Sequence, residues 1–254
     1  MEKNPQEQLL MSLLPENFRH KVISPEVILA WFEAAEAYWL HDGDPRHPHA
    51  ELTKGNCSNG FFDCWRVLKY LNLSEILADQ LARKIRSIIG DVQIHAVVGS
   101  PMAGITFAHD VGRALGANIF IMVEKDPEDP KKKICRDQKI PKGANVIQIE
   151  ELITTAGTTL DVKKAVDDMN GEPVNWLPCI GTLVHRPQYQ VTHYSDREVI
   201  PVIEKIIWSS DPQDCPLCKA GSERLKPKQP GTNNWSRLTL KGSSDHFKAM
   251  STAI

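Results

Sequence analysis

No stretch of this 254-residue chain approaches the ~20 consecutive apolar residues that a helix needs to span a bilayer. The start, MEKNPQEQLLMSLLPE, lacks the basic opening and long apolar region of a secretory signal. Neither sign of charge dominates: 30 Lys and Arg against 32 Asp and Glu leave a formal charge of -2. That balance gives no whole-surface attraction to nucleic acid or to an anionic membrane. Six irregularly spaced cysteines are too few and too scattered for a secreted disulfide framework. No internal repeat is visible. These absences predict a cytoplasmic protein with reduced thiols and no nucleic-acid or membrane partner. What is present, 41% hydrophobic and 24% charged residues, is ordinary for a globular chain. The length allows one sizeable α/β domain with additions, or two small ones.

The spacing predicts a buried helix over Ser24 to Trp39, with Ser at the N-cap and Pro at the first helical position. Leu40 to Gly60 is rich in turn formers and reads as a long loop or irregular hairpin. A second helix, Ser74 to Ile89, carries an apolar face at helical spacing and stops at Gly90. From Gln93 the pattern alternates. IHAVVG, NIFIMV, ANVIQI, VNWLPCIGTLV and EVIPVIEKIIW read as strands, while GITFAHDVGRAL and TTLDVKKAVDDMN read as helices. EKDPEDPKKKICRDQKIPKG reads as a charged loop. This order implies an α/β fold, a mainly parallel sheet flanked by helices.

In such a sheet, ligands bind where strands end and loops leave for helices. VIQIEELITTAGTT, residues 146–159, places Glu150 and Glu151 at such an end and then strips the chain to hydroxyls and backbone. Amides opening the next helix form an anion site, which small residues let a phosphate approach. Two acids repel a phosphate but suit sugar hydroxyls, or a magnesium ion bridging them. The stretch therefore reads as a site for a ribose 5-phosphate. The plainer alternative is a βα turn whose acids favour the helix dipole and whose threonine caps it.

EELITTAGTT resembles the phosphoribosyl-pyrophosphate-binding motif of the type I phosphoribosyltransferases, and a wider resemblance points to the orotate phosphoribosyltransferase-like members. It implies a Rossmann-like core over residues 93–208, an N-terminal hood over 1–92 and a C-terminal tail over 209–254. It implies that Thr154, Thr155, Ala156, Gly157, Thr158 and Thr159 hold the 5-phosphate. Ser100, Pro101, Met102, Ala103 and Gly104, in VVGSPMAGITFA, match the pyrophosphate loop. LTKGNCSNGFF is similar to the opening of the family's substrate hood, making Lys54, Phe61 and Phe62 the base-binding candidates. Two adjacent phenylalanines also suit plain core packing. In orotate enzymes a lysine precedes the second glycine of the pyrophosphate loop, where this chain has Ala103. Their mobile catalytic loop also carries a histidine, which the segment 124–143 lacks. Lys125 and the run Lys131, Lys132, Lys133 would supply the positive charge instead, or are simply solvated.

The implied activity is transfer of a phosphoribosyl group from phosphoribosyl pyrophosphate to a nucleobase, with Mg²⁺ held by Glu150 and Glu151 through the ligand. Glu150, Glu151, Lys125 and Lys131 are the expected catalytic residues, and the expected assembly is a homodimer. A regulatory protein that senses phosphoribosyl pyrophosphate without turning it over is the alternative on the same fold. Another phosphate-handling α/β enzyme, such as a nucleotide hydrolase, is a third reading.

Near the end, Cys215 and Cys218 form a CPLC turn that brings two thiolates to one zinc, although tetrahedral closure needs two further ligands. Cys57, Cys64 and the histidines at 41, 47 and 49 qualify only if the tail folds back on the hood; otherwise the cysteines stay reduced and uncoordinated. Lys219 to Lys241 holds six Lys or Arg against one Glu, and reads as a solvated tail or a contact for an anionic partner.

Overall fold

The structure is a computed structural model that describes residues 5–129, 132–135 and 139–239. The N-terminal region contributes α1 (Pro5–Ser12), α2 (Pro25–Ala34), β1 (Tyr38–Leu40), β2 (His49–Glu51), β3 (Cys57–Ser58), β4 (Gly60–Phe62), α3 (Cys64–Leu68) and α4 (Leu71–Ile89). The central region runs β5 (Ala96–Gly99), α5 (Ala103–Leu115), β6 (Ile119–Met122), β7 (Glu124–Lys125), β8 (Lys133–Ile134), β9 (Asn145–Ile153), α6 (Gly157–Asn170), β10 (Asn175–His185), β11 (His193–Tyr194) and β12 (Arg197–Glu204). Then come β13 (Ser209–Ser210), α7 (Pro216–Lys219), β14 (Arg224–Leu225) and α8 (Asn234–Thr239).

The expected α/β architecture is present. A six-stranded sheet has the order β11-β12-β10-β9-β5-β6, parallel throughout except for the edge strand β11. Alternate residues of each strand face opposite sides. Val97, Ile147 and Ile149 join the larger core under α2, α3, α4 and α5. Ala96, Val98 and Val146 join a smaller one with Val162, Ala165 and Val166 of α6. Burial on both faces explains why β5 reads as a continuous apolar run and the first half of β9 as a mostly apolar one. Gly181 of β10 lets α4 close on the sheet, because a Cβ there would lie 2.6 Å from Ile149 Cδ1 and 2.9 Å from Ile85 Cδ1. No helix among the described residues is long and apolar enough to cross a membrane.

Three expectations need correcting. The helix predicted over Ser24 to Trp39 begins as expected, with Ser24 Oγ accepting from the Val27 amide, but stops at Ala34. Glu36 turns the chain with φ 51°, and Tyr38–Leu40 pairs with Gly60–Phe62 as a strand. Aromatic contact explains the switch: Tyr38 and Phe62 stack with centroids 4.5 Å apart. The loop after β6 is not wholly irregular, since Glu124 and Lys125 pair with Ile134 and Lys133. Lys131 lies outside the described residues.

The third correction concerns the end of the chain. Residues 209–239 are not a solvated tail; they fold onto the N-terminal region. Strands β13 and β14 flank the β2–β3 hairpin in the order β13-β3-β2-β14, and Leu225, Trp235 and Leu238 bury themselves against Trp39 and Ala50. Several of the basic residues are paired: Arg224 with Glu51 (3.1 Å), Lys228 with Asp63 (2.7 Å), and Arg237 with Glu223. Trp235 and Leu238, spaced for one helix face, carried the signal that the charge count outweighed.

Candidate active site

The central strand β9 ends in the acid pair, and the pleat sends the two side chains to opposite faces. Glu150, 2% exposed, points to the α6 side. Its Oε1 accepts from Gln148 Nε2 at 2.7 Å, and the same amide donates to Thr159 O at 2.9 Å. Gln148 Oε1 accepts from Arg197 Nη1 at 2.9 Å, so a buried guanidinium stands behind the acid, over the Trp176 ring. Burial pushes the Glu150 carboxyl up to about 7; the neighbouring Glu151 charge adds to this, while Ser100, Gln148 and Thr159 oppose it by hydrogen bonding. Glu151 faces α5 and accepts from Ser100 Oγ at 3.3 Å. Burial raises its carboxyl too, against hydrogen bonding and the charge of Lys228.

The Ser100–Gly104 loop sits against Glu151. Ser100 is buried, Pro101 and Ala103 are half-buried, and Met102 is exposed with φ 73°. A Cβ at position 104 would stand 2.3 Å from Ser100 Oγ and 2.8 Å from Glu151 Oε2. Only glycine lets α5 start this close to the acid.

On the other side of the strand end, Ala156 adopts a left-handed conformation (φ 57°) and α6 begins at Gly157, with no side chain capping it and no acid in its first turn. Its first amides therefore have no partner within the helix, as an anion site requires. Thr155, Gly157 and Thr158 are exposed, Thr154 is half-buried, and Ala156 and Thr159 are buried. Thr154 O accepts from Tyr194 Oη at 3.0 Å; that hydroxyl is 3.2 Å from His185 Nε2, and His185 Nδ1 is 2.8 Å from Glu204. This brace, like Gln148 and Arg197, escaped the reading of the sequence, because it joins four separate segments.

A cavity of about 620 Å³ opens beside Glu151, bounded by Phe62, Asp63, Cys64 and Trp65 of the hood, Met102, Ala103, Ile105 and Thr106 of the loop and α5, Leu152, and Lys228. Its size suits a small ligand, and its walls are mostly apolar. Phe62 is a core residue that also forms part of this wall. Phe61 is not among the lining residues and packs on Trp235 (centroids 5.9 Å apart). Lys54 is exposed in the turn between β2 and β3, and Lys125 is exposed on β7. A second concavity, about 510 Å³ between residues 15–19 and the α4–α5 pair, contains none of the predicted site residues. Cys215 and Cys218 meet His49 and Cys57; Cys64, His41 and His47 do not join them.

No known family model matches the chain. Individual relatives do. The chain is 33% identical over 179 residues to the orotate phosphoribosyltransferase of Pelotomaculum thermopropionicum, covering 70% of this chain and 87% of that protein. It is 31% identical over 206 residues to that of Heliobacterium modesticaldum, covering 81% and 98%. The crystal structure of orotate phosphoribosyltransferase from Aeropyrum pernix superposes with a TM-score of 0.52 at 18% identity, over 69% of this chain and 93% of that one. The sheet order, helical layers and this likeness define the class: a phosphoribosyltransferase fold. Within that class, the sequence matches decide the group. The chain belongs to the orotate phosphoribosyltransferase family.

Proposed function

We propose that the chain transfers the 5-phosphoribosyl group of phosphoribosyl pyrophosphate to a ring nitrogen of a planar base, orotate first among the candidates, and releases pyrophosphate. The observation that carries this reading is the acid pair at the end of β9, set between an uncapped helix N-terminus and an apolar cavity. Residues 154–159 would take the 5-phosphate on the α6 amides, and Ser100–Gly104 the diphosphate. Glu150 and Glu151 would hold the ribose diol and favour the positive charge that develops on the ring as the bond to pyrophosphate breaks.

The donor set fits Mg²⁺, since the acids at this strand end offer hard carboxylate oxygens rather than thiols, one on each face, and the ligand's own oxygens would bridge them to the ion. When bound, that ion would neutralise diphosphate charge. Lys125 and Lys131 would add positive charge from the loop after β6. For the base, Phe62 supplies cavity wall, whereas Phe61 and Lys54 would need the hood to close before touching it. Lys228, at the cavity rim beside Asp63, offers a cation suited to a base bearing a carboxylate. The zinc expected at Cys215 and Cys218 has no place in this chemistry, since neither thiol lines the cavity. A homodimer acting in the cytoplasm belongs to the same reading, supported for the compartment by six free thiols, and sedimentation tests the assembly.

The direct test incubates the protein with phosphoribosyl pyrophosphate, Mg²⁺ and a panel of pyrimidine and purine bases, following nucleotide and pyrophosphate together. Orotate should give both products. Absence of product with every base would overturn the transfer reading.

A further inference from the structure

The four side chains His49, Cys57, Cys215 and Cys218 place one donor atom each within 4.8 Å of all the others. Cys57 Sγ and Cys218 Sγ are 3.5 Å apart, and His49 Nε2 is 3.6 Å from Cys215 Sγ and 3.4 Å from Cys218 Sγ. A tetrahedral zinc with bonds of about 2.3 Å to sulfur and about 2.0–2.1 Å to nitrogen separates its donors by roughly 3.4–3.8 Å. These three separations fall in that range, and the other three lie within 4.8 Å. All of the cysteines are free thiols.

The tautomer of His49 follows from its neighbour. Ser222 Oγ donates its one hydrogen to His47 O at 2.6 Å, so at 2.8 Å from His49 Nδ1 it can only accept. Nδ1 therefore carries the proton, and the Nε2 lone pair is free to face the Cys215 and Cys218 sulfurs. An outer hydroxyl that fixes ring and tautomer in this way is how a metal-binding histidine is held. His49, Cys57 and Cys215 are fully buried and Cys218 is half-buried, a setting in which two buried thiols and a lone pair have few other partners.

We propose that these four residues bind one structural zinc ion that clasps the C-terminal segment to the hood. The ligands come from the β2–β3 hairpin and from the turn around α7, with Cys57 and Cys218 161 positions apart and His49 and Cys215 166 apart. The ion sits where β13 and β14 meet β3 and β2, so it fixes the segment that carries Lys228 to the cavity rim. The site is independent of the transfer reaction. An inactive protein would still contain the metal.

The test uses the full chain purified without chelator. Elemental analysis should find one zinc per chain; Cys57→Ser and Cys215→Ser should each lose it, and Cys64→Ser, a hood thiol outside the cluster, should keep it. Cobalt exchanged into the wild-type chain should give the strong visible bands of a tetrahedral thiolate site, a readout that survives if the variants fail to fold. Chelation should open residues 209–239 to protease while the core stays protected. Wild-type protein that holds no zinc and takes up neither zinc nor cobalt would overturn the site, as would a Cys57–Cys218 disulfide in the isolated protein. Metal loss without new cleavage in that segment would overturn the clasp.

Discussion

Replacing Glu150 by Gln separates what the carboxylate does for the fold from what it does for the ligand. The folded protein raises this carboxyl from 4.5 to about 7, chiefly by burial. A raised carboxyl means the fold prefers the protonated form. Its contribution to stability is complete below the unfolded value and is lost as pH rises through about 7. At about 1.4 kcal/mol per pH unit, that gap makes the ionised Glu150 cost the apo protein about 3 kcal/mol above pH 7. Glutamine keeps the acceptor for Gln148 and never ionises. Part of the gain is offset, because Arg197 loses a nearby counter-charge. Thermal melts of ligand-free wild type and Glu150→Gln at pH 5 and pH 8.5 are the assay. The two should differ by less than about 1 kcal/mol at pH 5, just above the unfolded value, and the variant should melt several degrees higher at pH 8.5, given roughly 2–4 °C per kcal/mol for a chain of this size. Adding phosphoribosyl pyrophosphate and Mg²⁺ at pH 8.5 should reverse the order by stabilising only the wild type. A difference in melting temperature that does not change with pH would refute the assignment of a raised, burial-driven carboxyl.

Phosphoribosyl pyrophosphate with Mg²⁺ should raise the melting temperature of the wild type, ribose 5-phosphate should raise it less, and no shift at saturating ligand would remove the basis of the proposed function. Glu151→Gln should slow turnover at least tenfold, equal to about 1.4 kcal/mol of barrier, while the ligand-free melt at pH 8.5 rises rather than falls because burial raises this carboxyl too; full activity would exclude Glu151 from the ring contact. Gly104→Ala, whose Cβ would stand 2.3 Å from Ser100 Oγ, should cost about 1–3 kcal/mol of stability and weaken phosphoribosyl pyrophosphate in calorimetry, and an unaffected affinity would contradict the tight seat of α5 on the acid. Lys228→Met should raise KM for orotate about tenfold, the loss of one charge-assisted hydrogen bond, with kcat and the affinity for phosphoribosyl pyrophosphate preserved.

The parts of this fold that were legible in the sequence are those governed by local rules. Val146 to Ile149 reads as a two-faced buried strand because both its neighbours and its helices are apolar, and Glu150–Thr159 reads as a site because acids and small residues interrupt that run within one turn. What stayed hidden depends on residues far apart. Arg197 and Gln148 look like an ordinary surface arginine and an ordinary strand glutamine until β10 lies between their strands. His49 was one of several candidates beside the CPLC turn, and only the pairing of β14 with β2 selects it over His41 and His47. Tyr38 and Trp39 continue the helical pattern from Ser24 because the partner of their strand, Gly60–Phe62, lies beyond the window of any helical period.

The sheet in which both outer strands come from the end of the chain also sets an order of events during synthesis. The β2–β3 hairpin leaves the ribosome with both edges bare, and Cys215 follows His49 by 166 residues. At about 5–20 residues per second that is a wait of roughly 10–30 s, long enough for the central sheet to form first. Until then the hairpin is an open template for other strands. A chain ending before residue 209 should keep its central sheet, expose that hairpin permanently and aggregate through it, which makes the final segment this protein's own protection against mispairing.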